Sequence, residues 1–347
     1  MGPARRRIGA VRPATPARGV HGGLAPSTSV EQVFTCAVFV PSAPLLVPEL
    51  AGPDADDTRP VREATRSAVT ALVDSATRWV AVGADDTATA PEAAGPDATV
   101  RTDRPRCRTD VAATGTFARF GVDVPVTLDP AADTTAEAPS ADTGADRTRL
   151  PLSMLIAAWL REQAGADRVT PVVLDPSASP EQCAAVGEEI AAALSTVSEP
   201  VGLLVVGDGA IALSPKAPGG GERESAVRLQ QRIDAALESA DLSALAGLDV
   251  EECHAEGVGG RVAWQVAAAV ARAAGTHTGV TPAELHPPGL DAVGLDAVGL
   301  DAVGLDAVGL DAAGLDAAGL RAECLYAAAP FGVGYVVARW TPNRNRS

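Results

Sequence analysis

The stretch Val201-Gly202-Leu203-Leu204-Val205-Val206 carries no polar side chain at any position. A strand alternates its side chains between two faces, so a strand built from this run needs apolar cover on both sides. Six residues are too few for a buried helix, and Gly207-Asp208-Gly209 ends the run at once. Such a strand belongs in the middle of a parallel sheet with helices on both faces. The rest of the chain agrees. Strands are expected over 33–40, 78–83, 120–128, 169–174, 323–328 and 332–340. Helical periodicity marks 58–76, 152–163, 180–194, 222–239, 242–253 and 258–274. Ser179 is placed to cap the third of these helices, with Pro180 at its first position. The fold class is therefore α/β: a single large domain with a mixed, mostly parallel sheet flanked by helices.

Organisation follows composition. Residues 1–32 form an Arg-rich tail without an apolar stretch of signal-peptide type, and 33–340 form the domain. Loops at 85–112 and 129–148 are rich in Ala, Thr, Asp and Pro, and 341–347 is a short tail. Hydrophobic residues make up 46% of the chain but aromatics only 3%, so the core must be built largely from Ala, Val and Leu. Lys216 is the only lysine, and the weight of Ala, Gly and Arg fits a high-GC bacterial genome. The net charge is −16, and Arg5, Arg6, Arg7, Arg12 and Arg18 all fall in the tail, leaving the domain more negative still. This balance excludes nucleic acid as a partner, because phosphate binding needs clustered cations. It also disfavours anionic membranes, and no apolar run is long enough to span a bilayer. Five dispersed cysteines, Cys36, Cys107, Cys183, Cys253 and Cys324, suit a reducing cytoplasm.

Residues 289–320 repeat Gly-Leu-Asp-Ala-Val four times and Gly-Leu-Asp-Ala-Ala twice. A five-residue step turns a helix by about 140°, so the leucines make no stripe. Six units also build too few coils for a solenoid core. The segment reads as a tandem insertion in a surface loop, with an alternative role as a contact surface for a partner.

Ligands of open α/β sheets bind beyond the carboxyl ends of the strands. Three such ends are polar here: Ser42, then Asp85 and Asp86, then Asp208 with Gly209. These residues and Trp264 make up the candidate pocket, with Lys216 downstream. Gly207-Asp208-Gly209 reads either as a phosphate cradle or as a tight turn whose Asp caps local N–H groups. Trp264-Gln265 and Gly332-Val-Gly334 are further lining candidates, Trp264 having a core position as its other reading. Of the four histidines, His21 lies in the tail and His277 and His286 flank the repeat. His254 follows Glu251 and Glu252 and precedes Glu256, which gives a metal cluster or a solvated acidic face.

Val40-Pro-Ser-Ala-Pro-Leu-Leu-Val-Pro-Glu49 resembles the opening motif of the LigB-like class III extradiol ring-cleavage dioxygenases. Arg78-Trp-Val-Ala-Val-Gly83 and Val201-Gly-Leu-Leu-Val-Val-Gly-Asp-Gly209 resemble two later strands of that family. Pro151-Leu-Ser-Met-Leu-Ile, Gly260-Arg-Val-Ala-Trp-Gln265 and Pro330-Phe-Gly-Val-Gly-Tyr335 are most similar to an actinobacterial branch of it. The resemblance covers most of 33–340 and implies a LigB-like, phosphorylase-like architecture. It also implies Fe(II) held by two His and a carboxylate, with a further His as acid/base. The family's histidine positions fall here on Ser42, about Ala84, and Ile211. The expectation is a degenerate site without a cofactor, which binds a small molecule or a partner without ring cleavage. The alternatives are an active Fe(II) dioxygenase with substitute ligands Asp85, Asp208 and His254, and an interaction protein that uses the repeat.

Overall fold

The computed structural model describes residues 34–52, 55–86, 107–132, 149–276 and 319–343. The tail at 1–32, His21, His277, His286, the repeat up to residue 318 and most of the two long loops lie outside the described residues. The strands are β1 (Phe34–Val40), β2 (Arg78–Ala84), β3 (Cys107–Arg108), β4 (Thr114–Thr116), β5 (Pro125–Thr127), β6 (Arg168–Leu174), β7 (Val201–Val206), β8 (Leu320–Ala328) and β9 (Tyr335–Pro342). The helices are α1 (Pro48–Ala51), α2 (Arg59–Ser75), α3 (Leu152–Ala164), α4 (Pro180–Thr196), α5 (Glu224–Ser239), α6 (Leu242–Ala246), α7 (Val250–Ala255) and α8 (Arg261–Thr276).

Seven strands make one mixed sheet in the order β3-β6-β2-β7-β1-β9-β8, and β4 pairs with β5 apart from it. The four inner strands β6, β2, β7 and β1 are parallel, whereas β3, β9 and β8 are antiparallel to their neighbours. The fully apolar β7 lies between β2 and β1, where both of its faces are covered. Alternation then sorts the core into two layers. Leu203 and Val205 join Phe39, Ala338 and Trp340 beneath α4, α5, α6 and α8, while Leu204 and Val206 join Val38, Val40 and Val337 beneath α2 and α3. The described residues all belong to one compact unit spanning Gln32–Ser347.

Local chemistry sets the helix ends. Ser179 and Gln182 form a reciprocal capping box at the start of α4, with Pro180 at its first position. Arg261 and Gln265 fix the start of α8. Arg261 donates to Gln265 Oε1 (2.8 Å) and to the carbonyls of Pro176 (2.6 Å) and Ala178 (2.8 Å). Gln265 in turn donates to the carbonyls of Ala246 (3.2 Å) and Leu248 (3.0 Å). These two side chains therefore tie α8 to the β6–α4 connection and to the α6–α7 link.

Several expectations need correction. The helix expected over 242–253 is two helices, because the chain leaves α6 at Gly247 and Asp249 caps α7 by accepting from Glu252 N–H (2.8 Å). The strand expected over 120–128 is only β5, since Gly121 takes a left-handed conformation after a short 3-10 turn at Ala118–Phe120. The loop expected over 85–112 contains β3, and the expected tail at 341–347 begins inside β9. After β1 the Pro-rich stretch forms two short helical pieces, Pro44–Leu46 and α1.

Candidate functional site at the carboxyl edge of the sheet

β1, β7 and β2 are neighbours, and the residues just beyond their carboxyl ends meet at one edge. Ser42 and Asp208 are joined directly: Ser42 N–H donates to Asp208 Oδ1 (2.8 Å). Gly207 N–H reinforces the junction by donating to the carbonyl of Val40 (3.0 Å). Asp208 thus does cap a backbone N–H, but one from the adjacent strand end rather than from its own turn, which corrects the local-turn reading.

Asp208 keeps some exposed surface, yet its carboxyl is densely surrounded by protein. Desolvation pushes its pKa up to about 7, opposed by the Ser42 N–H hydrogen bond. Tyr335 lies close enough to share this field. Burial raises its phenol above the ordinary range, and the nearby Asp208 charge adds to the rise. Near neutral pH the carboxyl can take or give a proton, while the phenol stays protonated and offers a hydrogen bond.

Close backbone approach shapes the floor of this edge. A Cβ on Gly207 would run into Gly260 Cα, and Gly260 N–H donates to the Asp208 carbonyl (2.8 Å). Gly209 and Gly334 face the amide of Gln230, which a Cβ on either would strike. Gln230 accepts from Ala210 N–H (2.8 Å) and donates to Asp234 (2.6 Å). The 209–213 segment also pairs with the β8–β9 turn: Gly209 N–H donates to Gly334 O (2.8 Å) and Leu213 N–H to Gly332 O (3.0 Å). Only glycine lets three segments approach this closely around one buried amide. Trp264 is 2% exposed within the core layer and packs behind Gly260, while Lys216 is exposed on the turn after Asp208.

The end of β2 is organised by arginines that the sequence did not single out. Asp85 is buried, with Arg108 Nη2 of β3 lying 3.2 Å from its Oδ2. Asp86 accepts from Leu152 N–H (2.8 Å) at the start of α3 and from Arg119 Nη2 (3.0 Å). Arg119 also lies over the Phe120 ring, 4.7 Å from its centroid. The arginines are only partly used. Arg108 Nε, Arg108 Nη2 and Arg119 Nε are buried and make no hydrogen bond; the 3.2 Å Arg108–Asp85 contact is an ion pair without hydrogen-bonding alignment. Buried guanidinium N–H groups of this kind are costly unless an acceptor meets them. The signal that could have found them is the approach of an antiparallel edge strand, but two residues of strand leave no periodicity to read.

The residues do not fit an Fe(II) centre of the type the resemblance implies. Ser42 offers only a neutral hydroxyl, a poor ligand for iron beside imidazole or carboxylate, and Ala84 carries no donor side chain. Ile211 packs its side chain against Gly257 and Gly219. The substitute set is not assembled either. His254 is exposed on α7, and among the described residues no three His, Cys, Asp or Glu side chains are grouped as metal ligands. Among the described residues no helix is long and apolar enough to cross a membrane. The chain matches no protein-family model, and no curated protein matches it significantly.

Proposed function

We propose that this protein binds a small polar molecule at the carboxyl edge of its sheet and does not cleave aromatic rings. The observation that carries the reading is the set of buried, unspent guanidinium N–H groups on Arg108 and Arg119, beside Asp85 and Asp86. They call for an acceptor oxygen on the ligand. Asp208, with its raised pKa, and the Tyr335 phenol supply the complementary partners for a ligand hydroxyl. A carboxylated catechol carries both kinds of group and suits the resemblance to extradiol dioxygenases, with the iron chemistry lost. Ser42, Ala84 and Ile211 stand where that family places its histidines, which supports binding without oxidation.

The test is anaerobic loading with Fe(II), metal analysis, then exposure to oxygen and a carboxylated catechol. We expect no stoichiometric iron and no yellow ring-opened product. Stoichiometric iron together with that product would overturn the reading.

A further inference from the structure

We propose that the cleft between α2 and α3 is a second binding site, which takes a small monocarboxylate with a short apolar tail. A cavity of about 120 Å³ lies there, walled by Leu46, Val69, Trp159 and Leu160. It is far larger than the ~10–15 Å³ that one water needs, and far smaller than the ~300–1,000 Å³ of a pocket for a drug-sized or cofactor-sized molecule. Size therefore selects a ligand of a few heavy atoms.

Chemistry narrows the choice. Thr65 lines the cavity, is only 2% exposed, and its Oγ1 is buried without a hydrogen-bond partner. A threonine in mid-helix ordinarily turns its hydroxyl to a carbonyl one turn back or to solvent. Here the hydroxyl does neither, and it borders a space that can hold an acceptor. Arg66, the next residue, and Arg62, one helical turn earlier, line the same cavity. Two cations at one small cavity stand out in a chain of net charge −16. A carboxylate can accept from Thr65 Oγ1 and Arg66 together, while its tail lies against Val69, Leu160 and the Trp159 ring. A neutral ligand does not meet the positive charge of this wall, and an anion without a tail leaves the apolar walls uncovered.

The site is distinct from the carboxyl edge, and its test uses different variants. The full chain is titrated with hexanoate and with hexanol near neutral pH, and binding is followed by methyl NMR shifts of Leu46, Val69 and Leu160. Hexanoate is expected to saturate these shifts and to bind at least about tenfold more tightly than hexanol. Arg66→Gln should weaken hexanoate about tenfold. Thr65→Val should weaken it several-fold without loss of thermal stability, since it removes an unpaired buried hydroxyl. Arg59→Gln, on the same helix but outside the cavity, should leave binding unchanged. The proposal is overturned by no saturable shift, as for a cavity holding only water, by hexanol binding as tightly as hexanoate, or by unchanged affinity in Arg66→Gln.

Discussion

Arg261 and Arg108 are both arginines withdrawn from solvent in one domain, and they differ in how their N–H groups are spent. Arg261, at the start of α8, gives hydrogen bonds to Gln265, Pro176 and Ala178, and Gln265 passes the network on to Ala246 and Leu248. Arg108, on the edge strand β3, has Asp85 beside it, yet its Nε and Nη2 make no hydrogen bond. A satisfied buried network is architecture, whereas unspent donors at the ligand edge of an α/β sheet mark a place for a ligand. On the proposed function, the difference separates residues that hold the fold from residues held ready by it.

The largest expected effect lies on the architectural side. Arg261→Met removes the donor from Gln265 and from the carbonyls of Pro176 and Ala178, and should cost about 3 kcal/mol, because the Gln265 and Ala178 acceptors lose their partner away from water. Urea unfolding measures it, and a loss below about 1 kcal/mol would remove the contrast between the two arginines.

Asp208→Asn comes next. Its carboxyl has a native pKa of about 7, above the ordinary 3.8, so the native state favours the protonated form. That contribution to stability is complete below the unfolded-state pKa and is lost as pH rises through about 7. The amide keeps an acceptor for Ser42 N–H and carries no charge. The variant should be more stable than the native chain near pH 8 by on the order of 2 kcal/mol, discounted for the solvent contact that Asp208 retains. The gap should close toward about pH 4. Thermal unfolding across that range gives the answer, and a gap of constant size would refute the crowded-carboxyl account.

Gly334→Ala should cost about 1–3 kcal/mol, because its Cβ strikes the Gln230 amide and forces the 209–213 segment away from the β8–β9 turn. A neutral result would mean that this edge is more deformable than its packing implies. Arg108→Lys has the smallest expected effect on stability, under about 1 kcal/mol, since the charge beside Asp85 is kept. A large stability loss would make Arg108 a structural arginine like Arg261.

Much of the frame was legible because its signals are local. The Val201–Val206 run has no polar face, so its central place follows from cover alone. Ser179, Pro180 and Gln182 announce the start of α4 within four residues. The misses have two causes. β3 and β4 are two and three residues long, too short for alternation to show. The break at Gly247 has a local signal, a glycine two residues before the Asp249 cap, but the apolar periodicity that runs across 242–253 hid it. At the candidate site, the carboxyl-end rule led to Ser42, Asp85 and Asp208. The hydrogen bond between Ser42 and Asp208 spans 166 residues. Arg108 and Arg119 reach the end of β2 from segments without a motif, so their part in the edge was not readable beforehand.

The central claim is that the unspent arginines at the carboxyl edge hold a ligand without iron. Calorimetric titration of the native chain and Arg108→Lys with a carboxylated catechol, with and without Fe(II) under anaerobic conditions, tests it most directly. The account predicts saturable one-to-one binding, independent of Fe(II), and weakened about tenfold or more in Arg108→Lys. Binding that requires Fe(II), or that is the same in both proteins, would contradict it.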